Sequence, residues 1–426
     1  MKNWKKLAIA GVLAGAATLS LSACSQGASG SAGGSSNSET KTLTVGYWKG
    51  SDTENATFDK LVKSFEAKYN VTVKPKEYTD ITTQLPTDLS GGTAPDAFYI
   101  DSSFYPYLQK QGVLNDLSKV IKSSDFYPSV AKAFTTDGKI YAAPKDVSTL
   151  ALYVNKDIFK KAGIDETSIP KSYEAFIAWA PSAQAKLDAA YGAGKVKLFN
   201  VNADLTRNWQ FIAADGQNPI TSDGKSDLSN TTIEQNLQTV QAMFNTGAVA
   251  TPKDMGVGDE GAGFGAGKFA IVLSGNWNYQ VFKTQYKSLN FDILPNMTYK
   301  GQKQTMAYTV GWGEYAKTKA TNLANEWIQY VTGKDGMTTW TNGVGTLATR
   351  KDVADSSTFL KANPMLQVHQ DGLSYATPWQ DGTNLTTVVT SYGNFITNAF
   401  KKGATSSDLK SALKQADDDA NSKISK

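Results

Sequence analysis

The chain has 426 residues, and the ~385 that follow an atypical N-terminal stretch exceed what one core usually serves, so two domains are expected. Lysine and arginine total 43 against 39 acidic residues, a net +4 that falls to about +1 without Lys2, Lys5 and Lys6, and no basic run points to nucleic acid. A single cysteine and a single histidine exclude an internal disulfide and leave too few nitrogen or sulfur ligands for a zinc site.

Taken in order, the chain opens on Lys2, Lys5 and Lys6, followed by an apolar stretch over 7–21 that is short for a bilayer span. Leu21-Ser22-Ala23 then precedes Cys24, the layout of a secretory signal peptide over 1–23. The four residues ending at Cys24 resemble the lipobox of bacterial lipoproteins. That resemblance implies a lipid-linked Cys24 as the mature N-terminus; the alternative is a plain signal peptide with an incidental cysteine. Residues 25–39 are nearly all Gly, Ser, Ala, Asn and Gln, too polar to bury a core, so 24–40 is expected to be a lipidated flexible tether.

Thr42 to Tyr47 alternates as a strand, and Phe58, Leu61, Val62, Phe65 and Tyr69 follow at helical spacing. With a strand at Val71-Thr72-Val73 this predicts a right-handed parallel crossover. Ala97-Phe98-Tyr99-Ile100 reads as a buried parallel strand ending at Asp101-Ser102-Ser103. Residues 141–164 give a loop containing Pro144, Lys145 and Asp146, then an apolar strand over 150–154, then a short helix closed by Gly163. Further strands are expected over 197–201, 269–273 and 291–294, with a Gly-flanked aromatic segment at Thr309 to Gly313. Helices are expected from Thr206 to about Gly216, after a capping box at Thr232, around Leu323, Trp327, Ile328 and Val331, and over 407–424 with Leu409 and Leu413 inward. Alternating strands and helices imply α/β layers.

Two chemical signals fail on context, and a third stays open. Gly256-Val257-Gly258-Asp259-Glu260-Gly261 matches a dinucleotide-binding pattern but lacks the strand before it and the long helix after it. His369 would have to serve any Ser-His-Asp triad, yet no nucleophile-elbow motif exists; a satisfied or surface histidine is the expectation. Carboxylates are plentiful, so a glycosidase with two of them across a cleft stands as a rival reading. Aromatic and polar residues instead recur near expected strand ends and Gly-rich turns: Tyr47 and Trp48, Asp101 and Ser102, Asn208 and Trp209, Asn276 and Trp277, Trp312, and Trp379. Ligands of open α/β sheets lie beyond strand ends. Sugars suit this mixture, since their C–H faces stack on indoles while their hydroxyls need Asp, Asn and amide partners.

The order of segments resembles the extracellular sugar-binding lipoproteins of bacterial ABC importers (solute-binding protein family 1), the maltose/maltodextrin-binding branch above all. It is carried by Gly92-Thr93-Ala94-Pro95-Asp96, the Tyr-x-x-Pro at Tyr141, Asn155-Lys156-Asp157, Leu198-Phe199-Asn200, Ala213-Ala214-Asp215-Gly216, Phe264 to Lys268 leading to Asn276-Trp277, Leu294-Pro295, Val310-Gly311, and 343–350. The resemblance implies an α/β, two-lobe periplasmic-binding-protein-like fold with a ligand cleft between the lobes and hinge crossovers. It places 41–145 with 311–346 in an N-terminal lobe and 147–308 with 350–426 in a C-terminal lobe. The family's stacking tryptophans carry over to Trp277 and Trp379, its aromatic site after Leu-Phe-Asn falls near Asn208-Trp209, and Asp101 stands in for its strand-end carboxylate. Asp146, beside Lys145 where the chain leaves the first lobe, is expected to accept a sugar hydroxyl. The implied protein is no enzyme and needs no cofactor or metal. It is a monomer, lipid-anchored on the extracytoplasmic face of the cell membrane, that captures a maltodextrin or related oligosaccharide for the permease subunits of an ABC transporter. A glycoside hydrolase and a binding protein for a non-sugar solute remain the alternatives.

Overall fold

The computed structural model describes residues 41–424; the expected signal peptide, Cys24 and the tether lie outside the described residues. In chain order the strands are β1 Thr42–Tyr47, β2 Thr72–Glu77, β3 Ala97–Asp101, β4 Thr135–Thr136, β5 Lys139–Ile140, β6 Ala142–Asn155, β7 Lys197–Asn200, β8 Val249–Ala250, β9 Phe269–Gly275, β10 Phe291–Leu294, β11 Met306–Glu314 and β12 Thr377–Pro378. β4 and β5 pair as a small hairpin, and the rest join in the order β2-β1-β3-β11-β6-β9-β7-β8, with β10 on β6 and β12 on β11.

Two apolar cores sit along this sheet. In the first, the helix Asp52–Tyr69 lays Phe58, Leu61, Val62 and Phe65 over the parallel strands β1, β2 and β3. Ser51 caps its start through its hydroxyl, and Asn70, at φ 54°, ends it. In the second, the helix Tyr173–Tyr191 packs Phe176, Ala180, Ala183 and Leu187 with Leu198 and Phe199 of β7. The helices Thr231–Asn245, Leu385–Ile396 and Ser406–Ile424 complete it, the last with Leu409 and Leu413 fully buried. These are the two lobes of a periplasmic-binding-protein-like fold.

The strand expected over 150–154 is longer than its apolar run. β6 extends unbroken from Ala142 to Asn155, so the expected loop around Pro144, Lys145 and Asp146 is strand. Ala142 and Ala143 belong to the first core, and Leu150, Leu152 and Val154 to the second. The missing Pro144 N–H is accommodated where the β6–β11 register shifts, between Val310 and Gly311. β11 also crosses, from Met306 in the second core to Trp312 in the first. The chain stays in the first lobe past residue 346, because Ala348 and Val353 pack into its core. Thr232 is not the cap of its helix; the Asn230 side chain accepts from the Thr232 N–H.

Candidate functional site

The pairing of the crossing strands fixes which side chains share a face. Val310 of β11 is flanked by Asp101 of β3 and Asp146 of β6, and Tyr308 is paired with Ser148. Paired residues point to the same side and alternate residues repeat it, so Asp101, Asp146, Ser148, Tyr308 and Val310 line one face of the crossing. β12 places Pro378 beside Ala307, and the alternation carries Trp379 to the side of Tyr308. The opposite face is closed by Val147, Ala307, Leu347 and Leu373 packed with Val130. The open face is therefore the floor of a cleft.

On the first-lobe side, Lys145 is 4% exposed. Its Nζ lies 2.5 Å from Asp146 Oδ2 and 3.8 Å from Glu54 Oε1, 3.8 Å from the Trp340 ring centroid and 4.5 Å from that of Tyr99. Trp340 Nε1 donates to the same Asp146 oxygen at 3.0 Å. Burial raises the Glu54 carboxyl above its ordinary range, against the pull of Lys145. The carboxylate of Glu54 folds over Gly50, where a Cβ would lie 1.8 Å from its Oε2, so a side chain at 50 would push the carboxylate aside. Tyr47 and Trp48 are half-buried at the end of β1, stacked on Phe58 and set edge-on to Tyr99 respectively. Asp101 is turned back on its own loop, accepting from the Ser103 N–H at 2.8 Å and hydroxyl at 2.5 Å. Burial nonetheless raises its carboxyl.

On the second-lobe side, the helix Leu205–Ala213, capped by Asp204, presents Arg207. Its guanidinium donates to Glu260 Oε1 at 3.1 Å and to the Tyr308 hydroxyl at 3.2 Å. It lies 5.3 Å from the Trp277 ring centroid and 5.6 Å from that of Tyr308. Burial alone would raise the Glu260 carboxyl, but Arg207 outweighs it and holds the group below its usual range. Trp277 follows β9 and is the one exposed large apolar side chain among the described residues, at 36%. It stands edge-on to Tyr308 and folds over Gly275, where a Cβ would fall 1.9 Å from the indole. An exposed indole face, a phenol and paired charges offer stacking surface and charge-assisted hydrogen bonds without a large excess of either sign.

The sequence-selected residues divide sharply. Tyr47, Trp48, Asp101, Asp146 and Trp277 border the cleft with accessible surface. Trp379 is 6% exposed and packs edge-on against Trp209, itself 2% exposed. Three others support rather than border it. Ser102 is fully buried and donates to the Trp379 carbonyl at 3.1 Å. Asn208 is fully buried, donating to the Tyr392 hydroxyl and the Asn202 carbonyl. Asn276 accepts from the Thr149 N–H at 3.2 Å. Trp312 needs correction as a site residue: it is 1% exposed, wedged among Phe58, Tyr99 and Trp327. Trp209 likewise faces inward, because Leu205, Asn208, Trp209 and Ile212 form the i, i+3, i+4, i+7 stripe of their helix. That same stripe turns Arg207 outward, a signal present in the sequence. Glu54, Glu260, Tyr308 and Trp340 were not singled out, and Glu260 and Tyr308 have no local pattern that would mark them.

His369 lies behind the floor and is satisfied on both nitrogens. Nδ1 is 2.9 Å from the Thr149 carbonyl and Nε2 is 2.9 Å from the Tyr153 hydroxyl. The carbonyl only accepts, so Nδ1 carries the proton and the ring is neutral. Burial pulls its pKa down to about 3. A histidine depressed below its unfolded value near 6.5 contributes stability above that value, lost as pH falls. Between pH 6.5 and 4 it should make unfolding easier by up to roughly 1.4 kcal/mol per pH unit. Chemical denaturation across that range should show a shallower pH slope in His369→Gln than in the wild type; equal slopes would assign the acid sensitivity elsewhere.

Two α/β lobes joined by shared strands, with an aromatic and charge-paired cleft over the crossing, define a protein built to hold a solute between its halves. The chain belongs to the bacterial extracellular solute-binding protein family, whose model matches residues 60–368. It is 27% identical over 303 residues to the maltodextrin-binding protein MdxE of Bacillus subtilis (strain 168), covering 68% of this chain and 69% of that one. To the galactooligosaccharide-binding protein of the same organism it is 23% identical over 387 residues, covering 89% of each. Among solved structures, the ABC substrate-binding protein Lmo0181 from Listeria monocytogenes in complex with cycloalternan superposes with a TM-score of 0.75 at 19% identity, covering 91% of this chain and all of that one (100%); that likeness concerns the fold.

Proposed function

We propose that this chain is the sugar-capturing component of an ABC importer, held at the outer face of the membrane through a lipidated Cys24. Its ligand is an uncharged oligosaccharide, a maltodextrin or a close relative. The observation that carries this is the meeting of Trp277, Tyr308 and Arg207 from one lobe with Asp146 and Lys145 from the other over a single strand-built floor. A pyranose laid on the Trp277 face has the Asp146 and Glu54 oxygens as acceptors and the Arg207 guanidinium as a donor for its hydroxyls, with the buried Lys145 and Glu260 holding those groups in place. A ligand touching both lobes favours the closed arrangement by its extra contacts there, and hinge closure about β6 and β11 is the transition such architectures use. No chemical step is required, and the relatives named above are binding proteins, which weighs against the glycoside-hydrolase alternative.

Intrinsic fluorescence is the direct screen, because Trp277 is the tryptophan whose solvent exposure a stacked sugar would remove. Oligosaccharides of the right class should give a saturable change in emission. A panel of malto-, galacto- and manno-oligosaccharides that leaves the emission unaltered would overturn the reading. Cys24→Ala should release the chain from cells into the medium; retention on the membrane would remove Cys24 from the anchor.

A further inference from the structure

Beside the Arg207 side chain, inside the second lobe, the helix Leu205–Ala213 and the end of β7 flank a small cavity. About 20 Å³ of it is free, room for one water, which needs about 10–15 Å³. Its polar wall is formed by Tyr173, Asn200, Asn202, Arg207, Asn208 and Gln210.

The side-chain hydrogen-bonding groups on that wall can be accounted for one by one. Asn200 donates to Asn202 Oδ1 at 2.8 Å and accepts from the Leu273 N–H at 3.3 Å. Asn202 Nδ2 donates to Glu260 Oε2 at 3.3 Å. Gln210 accepts from Asn296 Nδ2 at 2.6 Å and donates to the Tyr173 hydroxyl at 3.3 Å. That hydroxyl in turn donates to Asn296 Oδ1 at 2.8 Å. Asn208 is fully buried, and its Nδ2 donates to the Asn202 carbonyl at 3.2 Å and the Tyr392 hydroxyl at 3.1 Å. A carbonyl only accepts, so turning the Asn208 amide round would set oxygen against oxygen. Two buried side-chain atoms on the wall then have no partner among the described residues: Arg207 Nε and Asn208 Oδ1. The first only donates and the second only accepts. Leaving such groups unsatisfied in a protein interior is costly.

We propose that one ordered water occupies this cavity, accepting from the Arg207 Nε–H and donating to Asn208 Oδ1, and that Asn208 positions Arg207 through it. An anion would meet the Asn208 oxygen and a cation would meet the guanidinium, so the site selects a small neutral molecule with both a lone pair and an O–H. A bridging water is nearly as favourable as a direct hydrogen bond. Arg207 is thereby held along three edges: Nη1 on the Tyr308 hydroxyl, Nη2 on Glu260, and Nε on the water. Asn208 acts on the cleft without touching the ligand. The effect on affinity rests on the sugar-binding reading above; the water itself does not.

A high-resolution crystal structure of the mature chain, with no sugar added, tests the water. One water should lie about 2.7–3.2 Å from both Arg207 Nε and Asn208 Oδ1. A dry cavity, or a water touching only one of the two atoms, overturns the proposal whatever the protein binds. Calorimetric titration with a sugar that binds tests the positioning role. Asn208→Leu should weaken binding about fivefold in the wild type and leave the affinity of Arg207→Met unaltered, the non-additivity of two residues acting as a unit. An equal loss in both backgrounds would make Asn208 a structural residue only and overturn its positioning role. The wild-type crystal structure decides the water even if Asn208→Leu fails to fold. No heat from any sugar, with the water in place, would overturn the sugar reading and leave the water site standing.

Discussion

Replacing Trp277 by alanine is expected to weaken sugar binding by about 2 kcal/mol, a loss of roughly 30-fold in affinity, with almost no change in folding stability. The two effects separate because of where the ring sits. At 36% exposure the indole has no core neighbour on its free face, so its removal leaves no cavity, and surface truncations usually alter stability by less than about 0.5 kcal/mol. The ring keeps its place because Gly275 has no Cβ to displace it and because Arg207 and Tyr308 brace it. Trp379→Ala provides the contrast. That ring is 6% exposed and set against Trp209, so its loss should cost about 3 kcal/mol of stability through the cavity it leaves. Thermal unfolding and calorimetric titration of the two variants should thus diverge in opposite directions. A Trp277→Ala protein with unchanged affinity would remove this side chain from the site.

Arg207→Met should cost about 3 kcal/mol of stability at pH 7, because it strands Glu260 as a buried, unpaired carboxylate. Glu260 is 6% exposed, and its side chain's other hydrogen-bond partners among the described residues are Asn202 and Ser274. In the wild type Arg207 holds the Glu260 carboxyl below its usual range. That contribution is present above the unfolded value, ordinarily about 4.3, and is lost as pH falls through the depressed folded value. In the variant burial acts unopposed and the carboxyl rises, so proton uptake relieves the strain and the deficit narrows as pH falls from 7 to 5. Adding Glu260→Met should recover most of the loss at pH 7. Urea unfolding at both pH values checks this; a deficit equal at pH 7 and 5, or unmoved by the second substitution, would show that the pair is not what holds the site. Sugar affinity should fall as well, since Trp277 and Tyr308 lose the group that spans them.

The fold was legible where one core governs one segment. Thr42–Tyr47 alternates because one face of β1 lies on the first core, and Phe269–Gly275 is continuous apolar sequence because β9 is buried on both sides. Legibility failed where the chain serves two environments. β6 carries Pro144, Lys145 and Asp146 in mid-strand because that part lies between the cores and one of its faces looks into the cleft; periodicity ends at 150 although the strand does not. The helix Tyr173–Tyr191 was not anticipated, and Pro181 within it removes the usual helical signal.

The cleft residues show the same division. Trp277 and Asp146 stand out locally, one as an aromatic after a Gly-Asn turn at a strand end, the other as a charge beside an apolar run. Arg207 and Glu260 meet across 53 residues, and no local pattern reports a pair made only by tertiary packing. Trp312 misled because a Gly-flanked tryptophan reads the same whether the glycines expose it or admit neighbours. Here Gly311 and Gly313 sit against Phe134, Ala142 and Ile100, and the indole between them is core.

The central claim is that an uncharged oligosaccharide is held between the lobes at the crossing strands. Isothermal titration of the folded chain with malto-oligosaccharides, alongside other neutral oligosaccharides, tests it most directly. One saturable site per chain with a dissociation constant near micromolar, about −8 kcal/mol, and abolished or strongly weakened in Trp277→Ala, is the predicted result. A folded protein that gives no heat with any of them, or that binds a sugar equally well without Trp277 and without Asp146, would contradict it.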